Sequence, residues 1–108
     1  MENLQIWIIE STHVNPDNFF VELDGSPSYK AYWVAQTHSA QEAEKLTRDI
    51  ADELELGEVK IVQTILYAEN TIIDSAEVTT RIKDIVSNFQ HYEDAQMAAW
   101  ISSEGGLL

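Results

Sequence analysis

The sequence predicts an α+β domain: a mixed four-stranded sheet with its helices packed mainly on one face. Three observations support this prediction: apolar residues that alternate early in the chain, two helix starts with capping residues, and no repeat or linker. The expected order of elements is βββαβαα. Residues 1–108 should form a single acidic domain, with a loose tail from about residue 103 to residue 108.

Three strands are predicted in the first third of the chain. They cover residues 4–10, 19–23 and 29–36, where apolar side chains alternate or cluster. Turn residues separate them at 15–17 and 24–27, since Pro fixes φ while Asn and Asp bond to nearby backbone. The second and third strands are expected to pair as a hairpin.

The first helix has the clearest signals. Ser39 and Glu42 have the spacing of a capping box, and Gly57 is expected to supply the left-handed stop. Apolar residues follow at helical spacing: Ala43, Leu46, Ile50 and Leu54. A fourth strand is predicted at 59–68, and its apolar residues on both faces favour a central position. A strand, helix and strand in succession predict parallel pairing through a right-handed crossover.

Two further helices are predicted in the last third. Asp74 is the expected N-cap of the second, in a capping box with Glu77. Its apolar stripe comprises Val78, Ile82, Ile85, Val86 and Phe89. The third is predicted over residues 93–102, with Met97, Trp100 and Ile101 on one side, and Gly105 and Gly106 are expected to end it.

Charge is the most informative part of the composition. Nineteen acidic residues against six basic ones give a net charge of −13, and every basic residue lies between positions 30 and 83. Such a field repels nucleic acid and anionic membranes, whereas it attracts a basic protein and speeds the encounter. The alternative is that the charge only maintains solubility.

Several kinds of chemistry lack the residues they need. The chain has no cysteine, which excludes disulfides and thiolate metal sites and fits a reducing compartment, so a cytoplasmic location is expected. No glycine-rich phosphate loop is present, and no apolar run approaches the ~20 residues of a membrane helix. We expect no cofactor, no metal and no enzymatic activity.

The histidines and serines do not form a catalytic pattern. His13, His38 and His91 are far apart in sequence, without metal-ligand spacing. His38 is next to Ser39, but Ser39 is needed as a helix cap and no nucleophile elbow is present. No catalytic residue is therefore predicted.

These observations favour a protein that works by binding. Small, acidic, cysteine-free α/β domains are typical of immunity proteins, so we expect an acidic inhibitor that neutralises a basic partner, such as a nuclease toxin, by stoichiometric binding. The expected contact residues are Glu10, Asp17, Glu22, Asp24, Tyr32, Trp33, Asp49, Asp52, Glu53 and Glu55. One alternative is an interaction module that forms a homodimer through the sheet. Another is a small-ligand site or enzyme assembled from distant residues such as the three histidines.

Overall fold

The structure, a computed structural model, describes residues 3–17, 23–90 and 93–107. The elements are β1 (Gln5–Val14), β2 (Tyr29–Thr37), α1 (Ala40–Glu53), β3 (Glu58–Leu66), α2 (Ala76–Asn88), β4 (Asp94–Ser102) and β5 (Gly106–Leu107). The order is therefore ββαβαββ. The strand predicted at 19–23 lies outside the described residues except for Leu23, which belongs to no regular element.

The described strands form one five-stranded antiparallel sheet in the order β3-β1-β2-β4-β5. The prediction of a mixed four-stranded sheet was wrong. β2 and β3 do run in the same direction on either side of α1, but β1 lies between them and pairs antiparallel with both. No two adjacent strands of the described sheet are therefore parallel.

The two helices lie on opposite faces of the sheet, which corrects the prediction that they share one face. Ile9 and Trp33 pack with α1 in one apolar cluster, whereas Ile8 and Val34 pack with α2 in the other. The central strands are apolar on both faces, so each face needs a cover. No helix in the described part of the chain is long and apolar enough to cross a bilayer.

β3 is an edge strand, not the central strand that its apolar residues suggested. Glu10 lies opposite Gln63 and Ser11 lies opposite Ile61, so Val62 is an extra residue in a β-bulge. The bulge switches the face that later residues occupy. Ile61 therefore packs on the α1 side, while Ile65 packs on the α2 side.

β4 occupies the segment predicted as a third helix. Tyr32 lies opposite Ala99 and Trp33 opposite Met97, so Ala98 is the extra residue of a second bulge. The bulge places Met97 and Trp100 on the same face although they are three residues apart. Residues three apart also share one face of a helix, which is why this segment was predicted to be helical. The segment predicted as a loose tail turns at 103–105 and adds β5 beside β4.

The start of α1 matches its prediction more closely than its end. The Ser39 hydroxyl accepts a hydrogen bond from the Glu42 N–H at 3.2 Å, as expected, while the Glu42 carboxylate accepts from the His38 N–H at 3.3 Å. The N-cap of α2 is Ser75, not Asp74, since the Ser75 hydroxyl accepts from the Val78 N–H. Asp74 instead has a left-handed φ of 60°.

The left-handed residue that closes α1 is Glu55, not Gly57. Glu55 has a φ of 54°, and its N–H donates to the Asp52 carbonyl. The Leu56 N–H donates to the Ala51 carbonyl, which completes a Schellman-type ending. Gly57 also has a positive φ, but it lies beyond this ending, where the chain passes close to the end of β1.

Two buried threonines on the helices should respond oppositely to substitution by valine. Thr47 is fully buried in α1, and its hydroxyl has no hydrogen-bond partner among the described residues. The Thr79 hydroxyl accepts from the Ile73 N–H at 2.9 Å and donates to the Ser75 carbonyl. We expect Thr47→Val to raise the free energy of unfolding by about 1 kcal/mol and Thr79→Val to lower it by about 2 kcal/mol. Urea unfolding of both variants measures this, and equal losses would contradict it.

Candidate partner-binding surface

One end of the sheet gathers exposed carboxylates from four separate segments. At this end β1 and β4 finish, β2 and β3 begin, and α1 terminates. We name it the acidic end; its exposed acidic residues are Asp17, Asp24, Asp52, Glu53, Glu55, Glu58 and Glu104. The described connections at this end contain no Lys or Arg. The fold therefore brings together carboxylates that lie as far apart in the sequence as Asp17 and Glu104.

Apolar side chains are also exposed at the acidic end. Val14 is 39% exposed, Leu23 is 47% exposed and Leu54 is 38% exposed. They come from the end of β1, the loop before β2 and the cap of α1. A surface of apolar residues with charged neighbours has the composition of a protein interface with a polar rim.

The acidic residues beside α1 are held by contacts between two loops. The Asp17 N–H donates to the Glu55 carbonyl at 2.8 Å, which fixes the loop after β1 against the ending of α1. Gly57 passes beside Val14 and Asn15 with no room for a side chain. Asp17 and Glu55 are therefore neighbours although they are far apart in sequence.

A buried polar chain supports the same loop from inside the core. The Trp33 indole N–H donates to the Ser11 hydroxyl at 2.8 Å, and that hydroxyl contacts His13 Nε2 at 2.7 Å. His13 Nδ1 is 3.2 Å from the Leu56 carbonyl, so Nδ1 carries the proton and donates to it. Burial lowers the pKa of His13 to about 4, although the Leu56 bond acts in the opposite direction. His13 is thus a neutral structural residue.

Asp24 secures the other side of the acidic end. Its carboxylate accepts from the Ser102 hydroxyl, from the Ser26 N–H at 3.1 Å and from the Tyr29 hydroxyl at 3.2 Å. These bonds, that of Ser102 first, lower the pKa of Asp24 to about 2. Gly105 packs directly against the same carboxylate. Asp24 therefore ties the loop before β2 to the turn before β5 and has few oxygen lone pairs left for a partner.

The expected contact residues separate into five groups. Five lie at the acidic end: Asp17, Asp24, Asp52, Glu53 and Glu55. Asp49 is one turn earlier on α1 and is paired with Lys45 at 2.8 Å. Glu22 lies outside the described residues. Tyr32 and Trp33 are 5% and 1% exposed, so neither ring is on the surface, and the prediction that they contact a partner there was wrong.

Glu10, the remaining expected contact, lies on the α2 face of the sheet. Its carboxylate accepts from Gln63 at 2.9 Å and from the Tyr32 hydroxyl at 3.3 Å. Burial, and then the charge of Glu10, raise the pKa of Tyr32. Lys30 lies over the Tyr32 ring and is 3.5 Å from Asp74. Glu10 thus belongs to a local polar cluster and not to the acidic end.

The described histidines do not come together. His38 follows β2 and is 3.4 Å from the Glu93 carboxylate, while His13 is buried near the other end of β1. Thr37, the neighbour of His38, pairs with Gln5, which is eight strand residues or about 27 Å from His13. His91 lies outside the described residues. No group of three potential metal ligands occurs in the described ranges.

Sequence reasoning missed the exposed apolar residues of the acidic end. Leu54 was expected to be buried on α1, because its spacing follows the apolar stripe. The buried side of α1 instead uses Ala43, Thr47 and Ala51, and small residues there let the helix lie close to the sheet. Nothing in the composition of the chain indicated that these small residues would form the buried side of α1.

The architecture defines the chain as an α+β domain with one helix on each face of an antiparallel sheet. Comparison with protein-family models, with curated proteins and with solved structures finds no match in any of the three.

Proposed function

We propose that this protein binds a basic protein partner stoichiometrically through the acidic end, in the manner of an immunity-type inhibitor. The observation that carries the proposal is that seven exposed carboxylates lie at the same end of the sheet as the exposed side chains of Val14, Leu23 and Leu54. Carboxylates would steer a basic partner and set its orientation, and apolar contacts would supply most of the affinity.

The placement of the charge gives further support, because it works against the stability of the fold. Asp52 and Glu53 lie in the last turn of α1, which has no basic residue, so they face the negative end of the helix dipole. Glu55 adds another carboxylate and holds a left-handed φ that glycine adopts more easily. Residues that cost stability at one surface are more readily explained by binding than by solubility.

The proposal is tested with two charge-reversed doubles and the wild type. Asp52→Lys with Glu55→Lys changes the acidic end, while Glu69→Lys with Asp84→Lys makes the same charge change at exposed residues elsewhere. Each immobilised protein is used to capture partners from native cell lysate, followed by washes of rising salt. We expect a basic protein that binds the wild type and the control double, leaves as salt rises, and fails to bind the acidic-end double.

Two other outcomes would contradict the proposal. A basic partner retained by all three proteins would move the interface away from the acidic end. The absence of any basic partner would leave solubility as the role of the charge. Urea unfolding of both doubles shows whether they fold, and the lysines at the end of α1 should favour the helix.

Glu55→Gly should separate stability from binding. We expect the substitution to raise the free energy of unfolding by about 1 kcal/mol, because it relieves the left-handed backbone and removes a charge from the helix end. Glu55→Ala removes the charge but keeps the strained backbone, so its free energy of unfolding should rise by a smaller amount. Both variants should lose affinity for the captured partner by a similar factor. If Glu55→Gly is less stable than Glu55→Ala, the left-handed φ of Glu55 does not strain the backbone.

A further inference from the structure

We propose that the outer edge of β3 pairs antiparallel with the same edge of a second copy, so that two five-stranded sheets join into one. This inference is independent of the proposed function, since it uses a different surface of the molecule. β3 is nine residues long, contains no proline, and pairs with no other described strand on its outer side. Such an edge offers unpaired backbone groups to another strand.

The direction of the free backbone groups follows from the pairing with β1. The Tyr67 N–H donates inward to the Ile6 carbonyl at 2.8 Å. Because backbone groups alternate in direction along a strand, those of Leu66 and Thr64 point outward. At least two residues of β3 therefore present donors and acceptors that another β3 can use.

Exposed aliphatic side chains accompany these backbone groups. Val62 is 49% exposed and Leu66 is 51% exposed, although both belong to the strand. At the opposite edge, β4 has no comparably exposed large apolar residue, and its end is covered by β5. The two edges of the sheet therefore differ, and β3 is the one with apolar area to bury.

Charge favours a second copy as the occupant of this edge. β3 contains one cation, Lys60, and one carboxylate, Glu58 at its first residue, so the strand itself is formally neutral in a chain whose net charge is −13. Two copies repel each other wherever carboxylates face each other, whereas two β3 edges meet with little local repulsion. An antiparallel pair of identical strands also closes by a two-fold axis, so it makes a dimer and leaves no further β3 edge exposed.

Sedimentation velocity over a range of protein and salt concentrations tests the proposal. We expect a monomer–dimer equilibrium in which added salt strengthens the dimer, because salt screens the repulsion between two acidic molecules. A basic partner at the acidic end would show the opposite dependence on salt. The two proposals can therefore fail separately.

Variants locate the contact. Leu66→Pro removes an outward N–H at a position where an edge strand tolerates proline, and Val62→Lys adds charge to the exposed bulge. Ile72→Lys is the matched control, since Ile72 is 78% exposed but lies in the connection between β3 and α2, outside the strand. We expect each β3 variant to weaken the dimer by at least about tenfold, equivalent to about 1.4 kcal/mol, while the control does not.

Hydrogen exchange provides a measurement that does not depend on mutation. The Leu66 and Thr64 amides should exchange rapidly in dilute protein and slowly in concentrated protein, while the Tyr67 amide stays protected in both. A monomer at every salt and protein concentration would overturn the proposal. So would a dimer that survives both β3 variants, or one whose Leu66 and Thr64 amides remain unprotected.

Discussion

Replacing Gly57 by alanine should lower the free energy of unfolding by about 3 kcal/mol. A Cβ at this position would overlap the Val14 carbonyl oxygen and lie 2.7 Å from the Asn15 carbonyl carbon. These are backbone atoms, fixed by the pairing of Val14 with Glu58, and they cannot rotate away as a side chain would. The φ of +80° adds strain of its own. Urea unfolding gives the loss directly.

Gly25→Ala is the control for this prediction. Gly25 has a φ of +84°, close to that of Gly57, but an added Cβ would meet no atom within 4 Å. Gly25→Ala should therefore lower the free energy of unfolding by about 1 kcal/mol, through backbone strain alone. A Gly57→Ala protein no less stable than Gly25→Ala would show that the chain after α1 does not pass against the end of β1. The arrangement of the acidic end would then need revision.

The parts of the fold that the sequence predicted are those with regular periodicity. β1 and β2 alternate without interruption, and α1 begins at Ala40, directly after the predicted N-cap Ser39. The errors in the predictions for β3 and β4 are caused by the two bulges. An extra residue at Val62 made β3 look apolar on both faces, and one at Ala98 gave β4 the spacing of a helix. A bulge alters the period without leaving a mark in composition, so only the pairing partner reveals it.

The candidate site was predictable in its chemistry but not in its shape. Asp17 and Glu55 were both expected to contact a partner, but only the fold shows that their backbones are bonded to each other. Tyr32 and Trp33 were expected to contact a partner, because adjacent residues point to opposite faces of a strand and the helices were expected to cover mainly one face. One helix on each face buries both Trp33 and Tyr32, which sequence periodicity could not show.

Lowering the pH from about 6.5 to about 4 should destabilise the protein through His13. This histidine is fully buried and bonded as a neutral ring, and burial lowers its pKa from 6.5 to about 4. The unfolded chain therefore binds a proton in this window that the folded chain does not. Stability is fully present above pH 6.5 and is lost as the pH falls, by up to about 3 kcal/mol. Urea unfolding at several pH values measures the loss.

His13→Asn isolates this contribution from those of the many other titrating groups. Its amide N–H₂ can still donate toward the Leu56 carbonyl but does not titrate, while every other acidic and histidine residue is common to both proteins. We expect the variant to be less stable than the wild type near neutral pH, because the Ser11 hydroxyl loses its acceptor. The difference should shrink toward pH 4, where the wild type must protonate a buried ring to stay folded. A constant difference across this range would mean that His13 ionises in the folded protein as readily as in the unfolded chain, and that the bond to Leu56 does not hold the ending of α1 as a neutral contact.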